Sequence, residues 1–117
     1  MSKDAHLEAY RAWLGAHIQD VLARPALHAA TPYEAELTLV TLLEAWVGAW
    51  SVARGRTPER DIARVTAAWR AACHRAGVAP GEPSRLHGRD QGWSAVTALR
   101  WTSGMGRVWE DVQAMCP

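Results

Sequence analysis

Apolar positions recur at helical spacing along most of this chain. In residues 3–24, Leu7, Tyr10, Leu14, Ile18 and Val21 fall three or four apart, with Trp13 and Leu22 widening the stripe, which predicts an amphipathic helix. Pro25 disfavours helical geometry at Arg24 and ends that helix, leaving "PALHAA" as a short connector. "TPYE" at 31–34 combines a capping Thr31, a Pro32 suited to the first helical position and a Glu34 that completes a capping box. A second helix is therefore predicted from Pro32 to Arg54, closed by Gly55 in the left-handed conformation. "TPER" at 57–60 repeats the Thr-Pro start, without the acidic residue. In the third helix Ile62, Val65, Trp69, Ala72, Cys73 and Ala76 share one face, and Gly77 ends it.

Residues 77–92 hold four Gly and two Pro, which predicts one long loop. Asp90 is placed to cap the next helical segment, which carries Trp93, Val96, Leu99 and Trp101. A second stripe of Trp101, Met105, Val108, Val112 and Met115 continues the spacing and argues for a single kinked helix through 91–115. Gly104 and Gly106 in "TSGMG" argue for a break, and the break is the favoured reading. Nothing alternates with period two long enough to form a strand. The expected fold class is all-α: a compact bundle of four to five helices forming one domain over residues 1–117, with the apolar second helix at its centre.

That centrality follows from the second helix itself. Leu39, Leu42, Leu43, Trp46, Trp50 and Ala53 share a broad face, while Leu37, Val40 and Val47 encroach on the polar side. Trp46 and Trp50, in "AWVGAW", are expected to pack against the first and third helices. Composition sharpens the point: seven Trp and no Phe in 117 residues mean that the bulky part of the core is built from indoles, each with an N–H to satisfy. At least one indole is expected to be partly exposed, with Trp93 and Trp109 the candidates.

Cys73 and Cys116 suit neither a disulfide framework nor zinc spacing, and "MSKDAHLEAY" lacks the blocks of a signal peptide, so a reduced cytoplasmic protein is expected. The apolar run Leu37–Ala53 is interrupted by Glu44, Thr38, Thr41 and Ser51 and reads as a core helix, with no membrane role. The five histidines form no ligand set. His6 and His17, eleven residues apart, stand roughly 16 Å apart along a helix. No metal or cofactor is expected.

Charge is uneven beneath a net +1. Residues 1–53 carry three basic and six acidic groups, whereas residues 54–75 carry six arginines against Glu59 and Asp61. Arg56, Arg60 and Arg64 stand at successive fourth positions in the Arg54–Arg75 stretch and define an alternative reading as a nucleic-acid contact. Glu44, a carboxylate in an apolar helix, defines another as an acid or base in a small enzyme, although a surface position is the favoured one. No nucleophile elbow or phosphate-binding glycine loop is present.

The leading expectation is a non-catalytic protein-binding module of bacterial type, such as an immunity factor, an adaptor or an assembly subunit. Its partner would be another protein, with self-association also allowed. The contact residues expected are Arg85, His87, Arg89, Asp90 and Trp93, where polar loop groups surround an aromatic anchor.

Overall fold

The computed structural model describes residues 3–76 and 92–117. Over these residues it is an all-α bundle of five helices: α1 (Lys3–Ala23), α2 (Pro25–His28), α3 (Pro32–Ala53), α4 (Pro58–Arg75) and α5 (Ala95–Met115). Helix α3 packs along α1 on one side and α4 on the other, and α5 lies mainly against α4. The predicted long loop, apart from Gly92, lies outside the described residues, as do Gly77 and Asp90.

The helix ends show which local signals acted. Thr31 Oγ1 accepts from the Glu34 N–H at 3.2 Å, and Glu34 Oε2 accepts from the Ala30 N–H at 3.0 Å, so the reciprocal cap closes one residue earlier than the usual box. At the end of α3, Gly55 adopts φ 67°. The Arg56 N–H then donates to Ser51 O at 3.0 Å and the Gly55 N–H to Val52 O at 3.1 Å, the paired bonds of a Schellman turn. The Thr57 side chain makes no capping hydrogen bond, so the acidic Glu59 and Asp61 in the first turn of α4 are what complement its N-terminal dipole. Ser94, accepting from the Thr97 N–H at 3.1 Å, caps α5.

Two expectations about the course of the helices are corrected. The connector after Pro25 contains a helical turn, α2, with the Ala29 N–H donating to Pro25 O at 3.0 Å. The proline that stops α1 thus starts the next turn, because its fixed φ suits a first helical position. The second correction is the break at "TSGMG", which does not occur: α5 is continuous through Gly104 and Gly106. Two helical glycines cost about 2 kcal/mol together. Trp101, Met105, Val108 and Val112, all at most 5% exposed, each return about 1.5–3 kcal/mol of burial that a broken stripe would forfeit. A Cβ on Gly106 would meet nothing within 4 Å. Gly106→Ala is therefore expected to stabilise the fold by about 0.5–1 kcal/mol in urea denaturation.

Leu14, Ile18 and Val21 of α1 join Leu39, Leu43 and Val47 of α3, Val65 and Trp69 of α4, and the α5 stripe in one core. By length and composition α3 could cross a membrane, yet half of its apolar window is buried within the bundle. Trp46 packs on α1, as expected, but its ring partner is Trp109 of α5, edge to face at 4.9 Å. Trp109 is 3% exposed, which overturns its expected exposure. It lies one position off the α5 stripe, on the side that Trp46 covers, so α5 is buried over a wider arc than the stripe alone. The Trp50 indole N–H donates to the Pro117 carbonyl at 3.0 Å, so the end of the described chain, rather than α4, supplies its polar partner.

Candidate functional site

Trp13 is the exposed indole, at 60%. It lies on the outer flank of α1 between Tyr10 and His17, with ring centroids 6.3 and 5.7 Å away and interplanar angles of 11° and 29°. The spacing 10, 13, 17 places the three rings one above another on one side of the helix. His28 of α2 extends the row, its ring 5.5 Å from His17 and edge-on to it. His28 Nε2 donates to Asp20 Oδ2 at 2.6 Å, and Arg24 Nε donates to Asp20 Oδ1 at 3.0 Å. These two bonds, Arg24 first, hold the Asp20 carboxyl below its ordinary value. The α1–α2 corner thus carries a braced aromatic ridge open to solvent. Helical spacing alone places Tyr10 and Trp13 with the core stripe of α1, but packing buries Leu14, Ile18, Val21 and Leu22 and leaves Tyr10 and Trp13 exposed.

The residues expected at a partner contact fare differently. Arg85, His87, Arg89 and Asp90 lie outside the described residues. Trp93 is partly buried, donating its indole N–H to Ala29 O at 3.0 Å and meeting Trp101 edge to face at 5.4 Å. It ties the α2–α3 turn to the start of α5.

The arginine stripe is drawn inward at its beginning. Asp61, 1% exposed, accepts from Ser51 Oγ at 2.7 Å and from Arg56 Nε and Nη2 at 2.9 and 3.0 Å, while Arg64 Nη2 stands 3.8 Å away. The Arg56 and Ser51 hydrogen bonds outweigh burial and hold the Asp61 carboxyl far below the usual carboxylate range. Arg60 is exposed. Arg54 and Arg56 also lie over the Trp50 ring, at 4.9 and 5.5 Å from its centroid. Sequence spacing cannot distinguish an arginine facing solvent from one folded back on a buried carboxylate four or five residues away.

Glu44 is exposed on α3, and among the described residues the buried carboxylates are Glu36 and Asp61. Burial pushes the Cys73 thiol up to about 12 and raises that of Cys116, so neither forms a ready thiolate at neutral pH. Among the described residues no three His, Cys, Asp or Glu side chains gather as a metal-ligand group.

A second feature is a groove between α1 and α5, about 280 Å³, lined by Arg11, Gly15, Gln19, Trp46, Trp109 and Gln113 among others. It adjoins a recess of about 320 Å³ that shares Gln19, Trp109 and Gln113 and adds Leu22, Ala23, Thr102 and Gly106. Arg11 lies over the Trp46 ring at 4.1 Å and donates through Nη2 to the Cys116 carbonyl. Comparison with protein-family models, curated proteins and solved structures finds no match. The geometry of this chain alone carries the functional reading.

Proposed function

We propose that this protein is a non-catalytic, cytoplasmic protein-binding module that engages its partner through the Tyr10–Trp13–His17 ridge of α1. The observation that carries this reading is the 60% exposure of Trp13 in a chain whose other indoles are buried or partly buried. Leaving an indole wet forfeits burial free energy that folding alone would claim, and Trp is among the commonest energetic anchors of protein interfaces. The ridge is preorganised, since its rings already stack and Asp20 braces the α2 corner, so little ordering remains to be done on binding. The surrounding half of the chain, residues 1–53, carries three basic and six acidic groups. The partner that complements it is a protein surface with apolar contacts and lysine or arginine at its rim.

Trp13→Ala tests this directly. With wild-type and variant protein as bait in extracts of the native cell, a basic-surfaced partner is expected on the wild type and not on the variant. The purified partner should then bind Trp13→Ala at least about 30-fold more weakly by calorimetry. Stability of the free protein should change by less than about 0.5 kcal/mol, because the ring is exposed. Equal binding of the purified partner to both forms refutes the ridge. Capture of nucleic acid instead, lost steeply with salt and on Arg60→Ala, supports the basic stretch of α4 as the contact.

A further inference from the structure

The geometry points to the α1–α5 groove as a binding site for a small organic monocarboxylate, its two oxygens accepting from Arg11 Nε and the Trp109 indole N–H. Both nitrogens are buried and have no hydrogen-bond partner among the described residues. Buried donors are nearly always paired, and a pair of orphans on two residues that line one groove is an unusual arrangement. The contrast with the other indoles is specific: those of Trp50 and Trp93 find carbonyls at 3.0 Å. Trp69, the remaining orphan among the indoles, lines neither this groove nor the recess beside it.

Charge and shape narrow the ligand. Arg11 is a partly buried cation, and burial is the main influence lowering its affinity for a proton, so a negative ligand at Nε would restore the balance. The half-exposed Glu8 carboxylate, 3.8 Å from Arg54, is the largest influence opposing that burial, and Arg11 remains lowered on balance. With one cation in the groove, and with Glu8 and Glu110 on the walls of the two spaces, a single negative charge is favoured over phosphate or a polyanion. The adjoining recess offers Leu22, Ala23 and Gly106 to an apolar tail. Gln19 and Gln113 are exposed side chains common to both spaces, and because the two donors are buried, side chains at the groove must rearrange to bring a carboxylate to them.

The test is indole proton NMR on the full chain, titrated with sodium acetate, hexanoate, benzoate and phosphate to about 10 mM. The Trp109 resonance is identified by its loss in Trp109→Phe. It should move downfield saturably with hexanoate or benzoate, less with acetate, and not with phosphate. The Trp69 resonance, an orphan without a groove, should stay in place. Arg11→Gln should weaken hexanoate binding at least about tenfold, with the dispersion of the other indole signals confirming a folded protein. Trp13→Ala should leave it unchanged, which separates this site from the ridge. The absence of a saturable Trp109 shift, an equal shift at Trp69, an equal response to phosphate, or retained affinity in Arg11→Gln overturns the assignment.

Discussion

Asp61→Asn is expected to destabilise the protein at neutral pH and to flatten its acid unfolding. The folded state holds this carboxyl far below its ordinary value, mainly through the hydrogen bonds from Arg56 and Ser51. A group depressed in this way stabilises the fold fully above its unfolded pKa of about 3.9 and loses that contribution as pH falls toward the folded value. The wild-type melting temperature should therefore drop between about pH 5 and pH 2, while the variant starts lower and changes less over that window. Asn keeps the volume, but its amide offers one acceptor oxygen where three donors converge, and its NH₂ would face the Arg56 guanidinium. Ser51, fully buried, is left competing for that acceptor. Melting curves read by circular dichroism across this range decide the matter: parallel wild-type and variant profiles would mean that Asp61 is not the anchor of the α3–α4 turn. Asp20, also depressed, supplies a residual slope common to both proteins.

Trp69→Ala should cost about 3–5 kcal/mol, a large share of the roughly 5–15 kcal/mol that holds a domain of this size together. The ring is 1% exposed at the centre of the α4 face, where Val65, Ala72 and Cys73 are also buried. Trp69→Phe should behave very differently, within about 1 kcal/mol of wild type. The smaller ring leaves a modest void, but it also removes an indole N–H that has no partner among the described residues and whose burial is unfavourable. Urea denaturation of the two variants separates the contribution of ring volume from that of the donor. A Phe variant as unstable as the Ala variant would show that the N–H is satisfied and important.

The two positions illustrate different kinds of legibility. Trp69 was readable, because a repeat of three and four residues from Ile62 to Ala76 can bury only one face of a helix. Asp61 was readable as a charge and not as a buried one. Its role depends on Ser51 and Arg56, which the Schellman turn at Gly55 swings back over the first turn of α4. The candidate site divides the same way. Tyr10, Trp13 and His17 are visibly on one side of a helix, but whether that side meets α3 or solvent is decided by where α3 lies. The groove at Arg11 and Trp109 joins residues almost one hundred positions apart, beyond the reach of any local pattern.

Hydrophobic periodicity, the Thr-Pro starts and Gly55 determined on their own that this chain is a bundle of α-helices with the 32–53 segment in its core, since these signals act within a few residues along the backbone. Tertiary packing decided the continuity of α5, the burial of Trp109, the exposure of Trp13 and the inward turn of Arg56. Each of those outcomes balances a local preference of about 1 kcal/mol against burial or pairing with a distant element worth more, and that second quantity exists only once the helices are assembled.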